Sequence, residues 1–162
     1  MQFTDEGGWS AADFLLLGAL ILGVGIPLDL TVRKTGDPAY RWAVVLALAA
    51  AFLLVVVNGA VGIIGSEDDD VNGLFVAVLA VALVGALAAR FRPRGMALAM
   101  AAAALAQASV AVGAFVAGWT SPESDMLEIV ALWFFVVLWA ASAALFRRAV
   151  LTRPPTSTGP VG

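Results

Sequence analysis

Apolar residues run almost without interruption through five stretches of this chain, at about 11–30, 42–64, 71–89, 96–118 and 126–146. Each is close to the roughly 20 residues that a helix needs to cross a hydrocarbon core of about 30 Å. The gaps between them carry stop and start chemistry for helices. Gly36-Asp37-Pro38 separates the first two stretches, and Arg92-Pro93-Arg94-Gly95 reads as a tight turn between the third and fourth. Ser121-Pro122-Glu123 offers an N-cap and a first-position proline ahead of the fifth. The pattern predicts an all-α membrane protein: a bundle of five transmembrane helices in a single domain over residues 1–150. Residues 151–162, rich in Pro, Thr, Ser and Gly, predict a disordered cytoplasmic tail.

Charge fixes an expected orientation. All nine Lys and Arg fall in three segments: Arg33, Lys34 and Arg41; Arg90, Arg92 and Arg94; Arg147, Arg148 and Arg153. Five crossings put those segments on one side, and the positive-inside rule makes that side the cytoplasm. All acidic residues except Asp29 and Asp37 lie on or near the opposite face. The N-terminus is therefore expected outside and the C-terminus in the cytoplasm, with the chain multi-pass in the inner, cytoplasmic membrane. Residues 1–10 contain Asp5 and Glu6 but no basic residue, so the first stretch reads as a retained span rather than a signal peptide. Trp9, Trp42, Trp119 and Tyr40 lie at span ends, where aromatic rings prefer the headgroup region. Trp133 and Trp139 lie deeper, against lipid or a neighbouring helix.

Composition narrows the chemistry. Of 162 residues, 62% are hydrophobic and 13% charged, and the mean hydropathy of +0.97 exceeds that of a water-soluble domain. With no Cys and no His, the chain has no disulfide, no thiolate or Fe–S chemistry, no Cys/His zinc site, no His-ligated haem and no triad with a His base. The one lysine, Lys34, lies in a loop, which excludes a retinal Schiff base inside the bundle. No Walker A, G-x-S-x-G or H-E-x-x-H motif occurs. No enzyme activity, cofactor or resident metal is expected. Topology accounts for the basic residues, so no nucleic-acid partner is expected; the cytoplasmic arginines could meet anionic lipid headgroups.

Close packing should hold the helices together, because lipid tails compete equally for apolar contact. The fourth stretch is dominated by Ala and Gly, with small-xxx-small pairs Ala104/Ala108, Ser109/Gly113 and Ala114/Gly118. It is expected to be central, with neighbours on more than one side. Asn58, Gly62 and Gly65 would share one face of the second helix. Gly23, Gly25 and Pro27 predict a kink in the first helix, either a packing kink or a break that exposes carbonyls to an ion. Asp29 and Arg33 are spaced for an i,i+4 pair.

Several polar residues could carry function. Glu67-Asp68-Asp69-Asp70 precedes Val71-Asn72-Gly73, so Asp68, Asp70, Asn72 and Gly73 match the first half of a calcium loop. Its twelfth position is Leu79 rather than the required Glu. The same residues suit a helix cap starting at Ser66, with carboxylates at a helix N-terminus, or an outer mouth that concentrates cations. Asn58 and Gln107 are amides inside spans, expected either to hydrogen-bond between helices or to line a polar cavity. Asp13 and Glu128 lie about one turn inside the outer ends of the first and fifth helices. Convergence of Asp13, Asn58, Glu128 and the acidic loop would form an anionic cavity open to the outside.

Three motifs, Val61-Gly62-Ile63-Ile64-Gly65-Ser66-Glu67-Asp68, Ala89-Arg90-Phe91-Arg92-Pro93-Arg94-Gly95-Met96-Ala97 and Leu145-Phe146-Arg147-Arg148-Ala149, resemble a family of small, uncharacterised bacterial multi-pass integral membrane proteins. The resemblance covers about residues 11–149 and implies no activity, cofactor or catalytic residue. The chain has Asp68-Asp69-Asp70 where that family pattern has something like Asp-Asn-Pro. Two functional expectations follow from the whole sequence. The first is a non-enzymatic accessory, assembly or structural component, working with the lipid bilayer and a membrane-protein partner or a second copy of itself. The alternative is a small oligomeric channel or permease for a cation or proton, with an acidic outer mouth.

Overall fold

The computed structural model of the chain describes Gly18, Gly25, Ile26, Asp29, Arg33, residues 36–60, Ile63, Ile64, Val71, and residues 73–119 and 126–152. Among these residues four helices and no strand occur: α1 (Pro38–Ala60), α2 (Gly73–Ala88), α3 (Pro93–Val116) and α4 (Met126–Leu151). Three of them, α1, α3 and α4, are long and apolar enough to cross a membrane. α2 is apolar but shorter, with 16 residues, which at 1.5 Å per residue span about 24 Å.

Local chemistry sets the helix ends. Pro38 occupies the first position of α1, where its missing N–H costs nothing. Asp37 caps that helix by accepting the Ala39 N–H at 2.8 Å. Gly118 ends α3 with φ +69°; Trp119 N–H donates to Ala114 O and Gly118 N–H to Phe115 O, a paired cap that requires a left-handed residue. The same pair of bonds ends α2, from Phe91 N–H to Ala86 O and Arg90 N–H to Leu87 O. Here the left-handed positions are Arg90 (φ 49°) and Phe91 (φ 58°), neither of them glycine.

α4 lies between α1 and α3, and α2 covers the other side of α3; α1 and α2 barely meet. Along α4 the buried residues are Leu132, Phe135, Trp139, Ser142, Phe146 and Ala149, a spacing of alternating threes and fours that suits shallow left-handed packing. Polarity does not separate inside from outside, since large apolar residues such as Leu105, Phe115 and Val137 point outward. Size does: the buried face of α3 is mostly alanine. α2 and α3 approach so closely that a Cβ on Gly85 would lie 2.7 Å from Ala99 Cβ, and one on Gly95 would lie 2.6 Å from Ala89 Cβ.

The expected boundaries shift accordingly. The 42–64 stretch becomes α1, which begins at Pro38 and ends at Ala60; Ile63 and Ile64 lie in a bend, and Gly62 and Gly65, expected to share a face with Asn58, lie outside the described residues. The 71–89 stretch narrows to α2. The turn between α2 and α3 is Ala89–Arg92, and Pro93, Arg94 and Gly95 already belong to α3. α4 runs five residues past 146, to Leu151. Gly118 caps α3, Ala114 is buried, and the tightest surroundings among the described glycines are at Gly85 and Gly95. α3 does have neighbours on two sides. Asp29 and Arg33 form the expected pair, with Arg33 Nε 2.7 Å from Asp29 Oδ2 on the surface. Apart from Gly18, Gly25, Ile26 and Asp29, the 11–30 stretch, including Gly23 and Pro27, lies outside the described residues, as does the chain after Thr152.

Candidate functional site

Of the sequence candidates, Asp13, Glu67, Asp68, Asp70 and Asn72 lie outside the described residues; Asn58, Gln107 and Glu128 lie within them. Asn58 is half-buried near the end of α1, and Glu128 half-buried in the first turn of α4. α1 and α4 run antiparallel, as two contacts show. Tyr40 and Phe146 meet edge to face at 5.1 Å between ring centroids. Ser142 Oγ donates to Ala43 O at 2.8 Å. Asn58 lies fifteen residues beyond Ala43 and Glu128 fourteen before Ser142, so both stand roughly 21–23 Å from that contact, at the same end of the bundle. Gln107 does not join them. Ala111 and Leu132 line one small hollow; Gln107 lies one turn inward from Ala111 and Glu128 one turn outward from Leu132. That separates the two by about 11 Å along the bundle.

Burial sets the character of these groups. Gln107 is 0% exposed, and neither of its amide atoms has a hydrogen-bond partner among the described residues. Glu128 Oε1 is buried and lacks a partner there too, although a carboxylate in the first turn suits the positive end of the helix dipole. The buried interhelix bond falls instead to Ser142, which the sequence reading did not single out. The available signal was a hydroxyl within Ala140-Ala141-Ser142-Ala143-Ala144 on the heptad seam of α4. Trp139 is 1% exposed and its Nε1 also finds no partner among the described residues. Trp133, by contrast, is exposed.

The two ends differ in charge. Arg41 in the first turn of α1, Arg90 and Arg92 in the turn after α2, Arg94 at the start of α3, and Arg147 and Arg148 near the end of α4 all occupy one end. Tyr40 ties that end together, because its hydroxyl donates to Phe91 O at 2.7 Å. Tyr40 stands at that end as expected but is buried at 0% exposure against the bundle, whereas Trp42 and Trp119 are exposed at helix ends. Asp37, the carboxylate described nearest this end of α1, accepts the Ala39 N–H and lies 3.2 Å from the Thr152 hydroxyl.

A cleft of about 360 Å³ opens where α1 and α2 part, with α3 and α4 behind it. Leu48 and Phe52 of α1, Leu79 and Ala86 of α2, Met100 of α3 and Trp139 of α4 contribute to its apolar wall. Gly25 also reaches it. Among the described residues no three Asp or Glu side chains gather as a metal site would require. No protein-family profile, curated protein or solved structure matches the chain.

Proposed function

We propose that this is a non-enzymatic integral membrane component that works by assembling with a membrane-protein partner or with further copies of itself. One observation carries the reading: two mid-helix polar side chains, Gln107 and Ser142, are sealed inside the bundle, and the described wall of the cleft beside them is apolar. Gln107 and Ser142 are fully buried, and the described residues of the cleft wall offer no carboxylate, amide or hydroxyl to a passing ion. An ion leaving water for such a route would forfeit its hydration without replacement.

The same proposal takes the chain as five spans in a bacterial cytoplasmic membrane, with the N-terminus outside. The arginines at one end of the described bundle and Glu128 at the other support that orientation. The helical backbone at Gly25, Ile26, Asp29 and Arg33 supports a helix ahead of α1.

The test is mild extraction at native expression level, followed by size analysis and reconstitution into liposomes. A defined homo-oligomer or a stoichiometric membrane partner, together with proton and cation flux at the level of protein-free liposomes, is expected. Flux above that background that falls in Asn58→Leu or Glu128→Gln would replace this reading with the channel or permease.

A further inference from the structure

We propose that the cleft between α1 and α2 holds one acyl chain of an anionic phospholipid, whose phosphate rests on Arg41, Arg90 and Arg92. The cleft reaches the arginine-rich end of the bundle, since both Ala86 and Met96 line it. Arg90 lies one turn beyond Ala86, and Arg92 one turn before Met96. On α1, Arg41 lies two turns before Leu48, another wall residue, and so shares its helical face. All three arginines are exposed.

Charge complementarity selects the occupant. Among the described residues the ion pair formed is Asp29 with Arg33, and Arg41, Arg90 and Arg92 have no carboxylate partner there. Their wall neighbours are apolar, so a ligand must bring negative charge at the membrane surface and hydrocarbon below it. A neutral lipid supplies only the second, and a soluble anion only the first. Trp42, exposed beside Arg41, suits the headgroup layer that such a lipid would occupy. The two left-handed residues Arg90 and Phe91, held by the Tyr40 hydroxyl on Phe91 O, fix where the rim lies relative to the wall.

Native mass spectrometry of the full chain tests this, with dioleoyl phosphatidylglycerol and dioleoyl phosphatidylcholine supplied in equal amounts. One anionic lipid per chain is expected to be retained in preference to the neutral one. Arg92→Gln and Arg90→Gly should each reduce that preference about fivefold. Arg90→Gly suits the positive φ, so weaker binding in that variant does not reflect a damaged fold. Ala86→Trp should block the cleft and reduce retention. Dihexanoyl phosphatidylglycerol, with the same headgroup and short chains, should bind wild type far more weakly, a readout that needs no folded variant. Equal retention of the two dioleoyl lipids would overturn the proposal. So would wild-type preference in both arginine variants, or equal binding of the short-chain lipid, which would leave only headgroup adsorption on the basic end.

Discussion

Gln107 and Ser142 are both polar, both fully buried and both on packed faces, yet among the described residues only Ser142 has a bond to show for its burial. Ser142→Ala should lose the bond to Ala43 O and destabilise the bundle by about 0.5–1.5 kcal/mol, near the usual net value of one hydrogen bond. Unfolding of the protein in mixed micelles would read that difference. Gln107→Leu should act in the opposite direction. It deletes two buried polar atoms that make no bond among the described residues, and the gain should be on the order of 1 kcal/mol. A clear loss of stability in Gln107→Leu would mean that the amide meets a partner outside the described residues or in a second chain. Both residues are visible in the sequence as polar interruptions. Which of them finds a partner depends on the facing backbone, and the facing backbone is set by a helix nearly one hundred residues away.

At the scale of elements, glycine placement decides how closely α2 and α3 pack. Gly85→Val should force the two backbones apart and cost about 1–3 kcal/mol, the usual range for overpacking. Gly73→Ala, whose new Cβ would meet no atom within 4 Å, should be neutral or slightly stabilising. The comparison of those two variants by thermal unfolding separates close approach from general helix propensity. Arg90→Gly should gain about 1 kcal/mol in the same assay, because a left-handed φ disfavours any residue with a Cβ. The sequence pointed to small-residue packing in the Ala-rich helix, but not to the contact points. Alanines on every face of that helix leave its partner-facing side undetermined until the neighbours are in place. The α2–α3 turn was likewise legible as a turn, while its position one helical turn earlier than Gly95 was not. Pro93 stops a helix from continuing into it but is equally good at starting one.

At the scale of the whole molecule, the arrangement of charge gives a direct test of orientation. A cysteine introduced for Arg92 should react with an impermeant maleimide only when the cytoplasmic face is accessible. One introduced for Asp69, in the acidic segment between α1 and α2, should react from outside. The opposite pattern would invert the proposed topology. Among the described residues α1 and α2 are nearly out of contact, and the cleft between them is where the lipid chain is proposed to lie.

The sequence by itself determined the class of structure. Long apolar runs, the clustering of arginine in three segments and the absence of Cys and His are local or compositional properties, and each follows from counting along the chain. It also determined the Asp29–Arg33 pair, because four residues along one helix bring two side chains together whatever surrounds them. Only the tertiary structure decided that Tyr40 is buried beneath the arginine turn, that Ser142 rather than Gln107 bonds between helices, and that a cleft separates α1 from α2. In a helix that is apolar on every side, hydrophobicity no longer marks the inner face. Shape complementarity and hydrogen bonding select that face instead, and both depend on residues far apart in the chain.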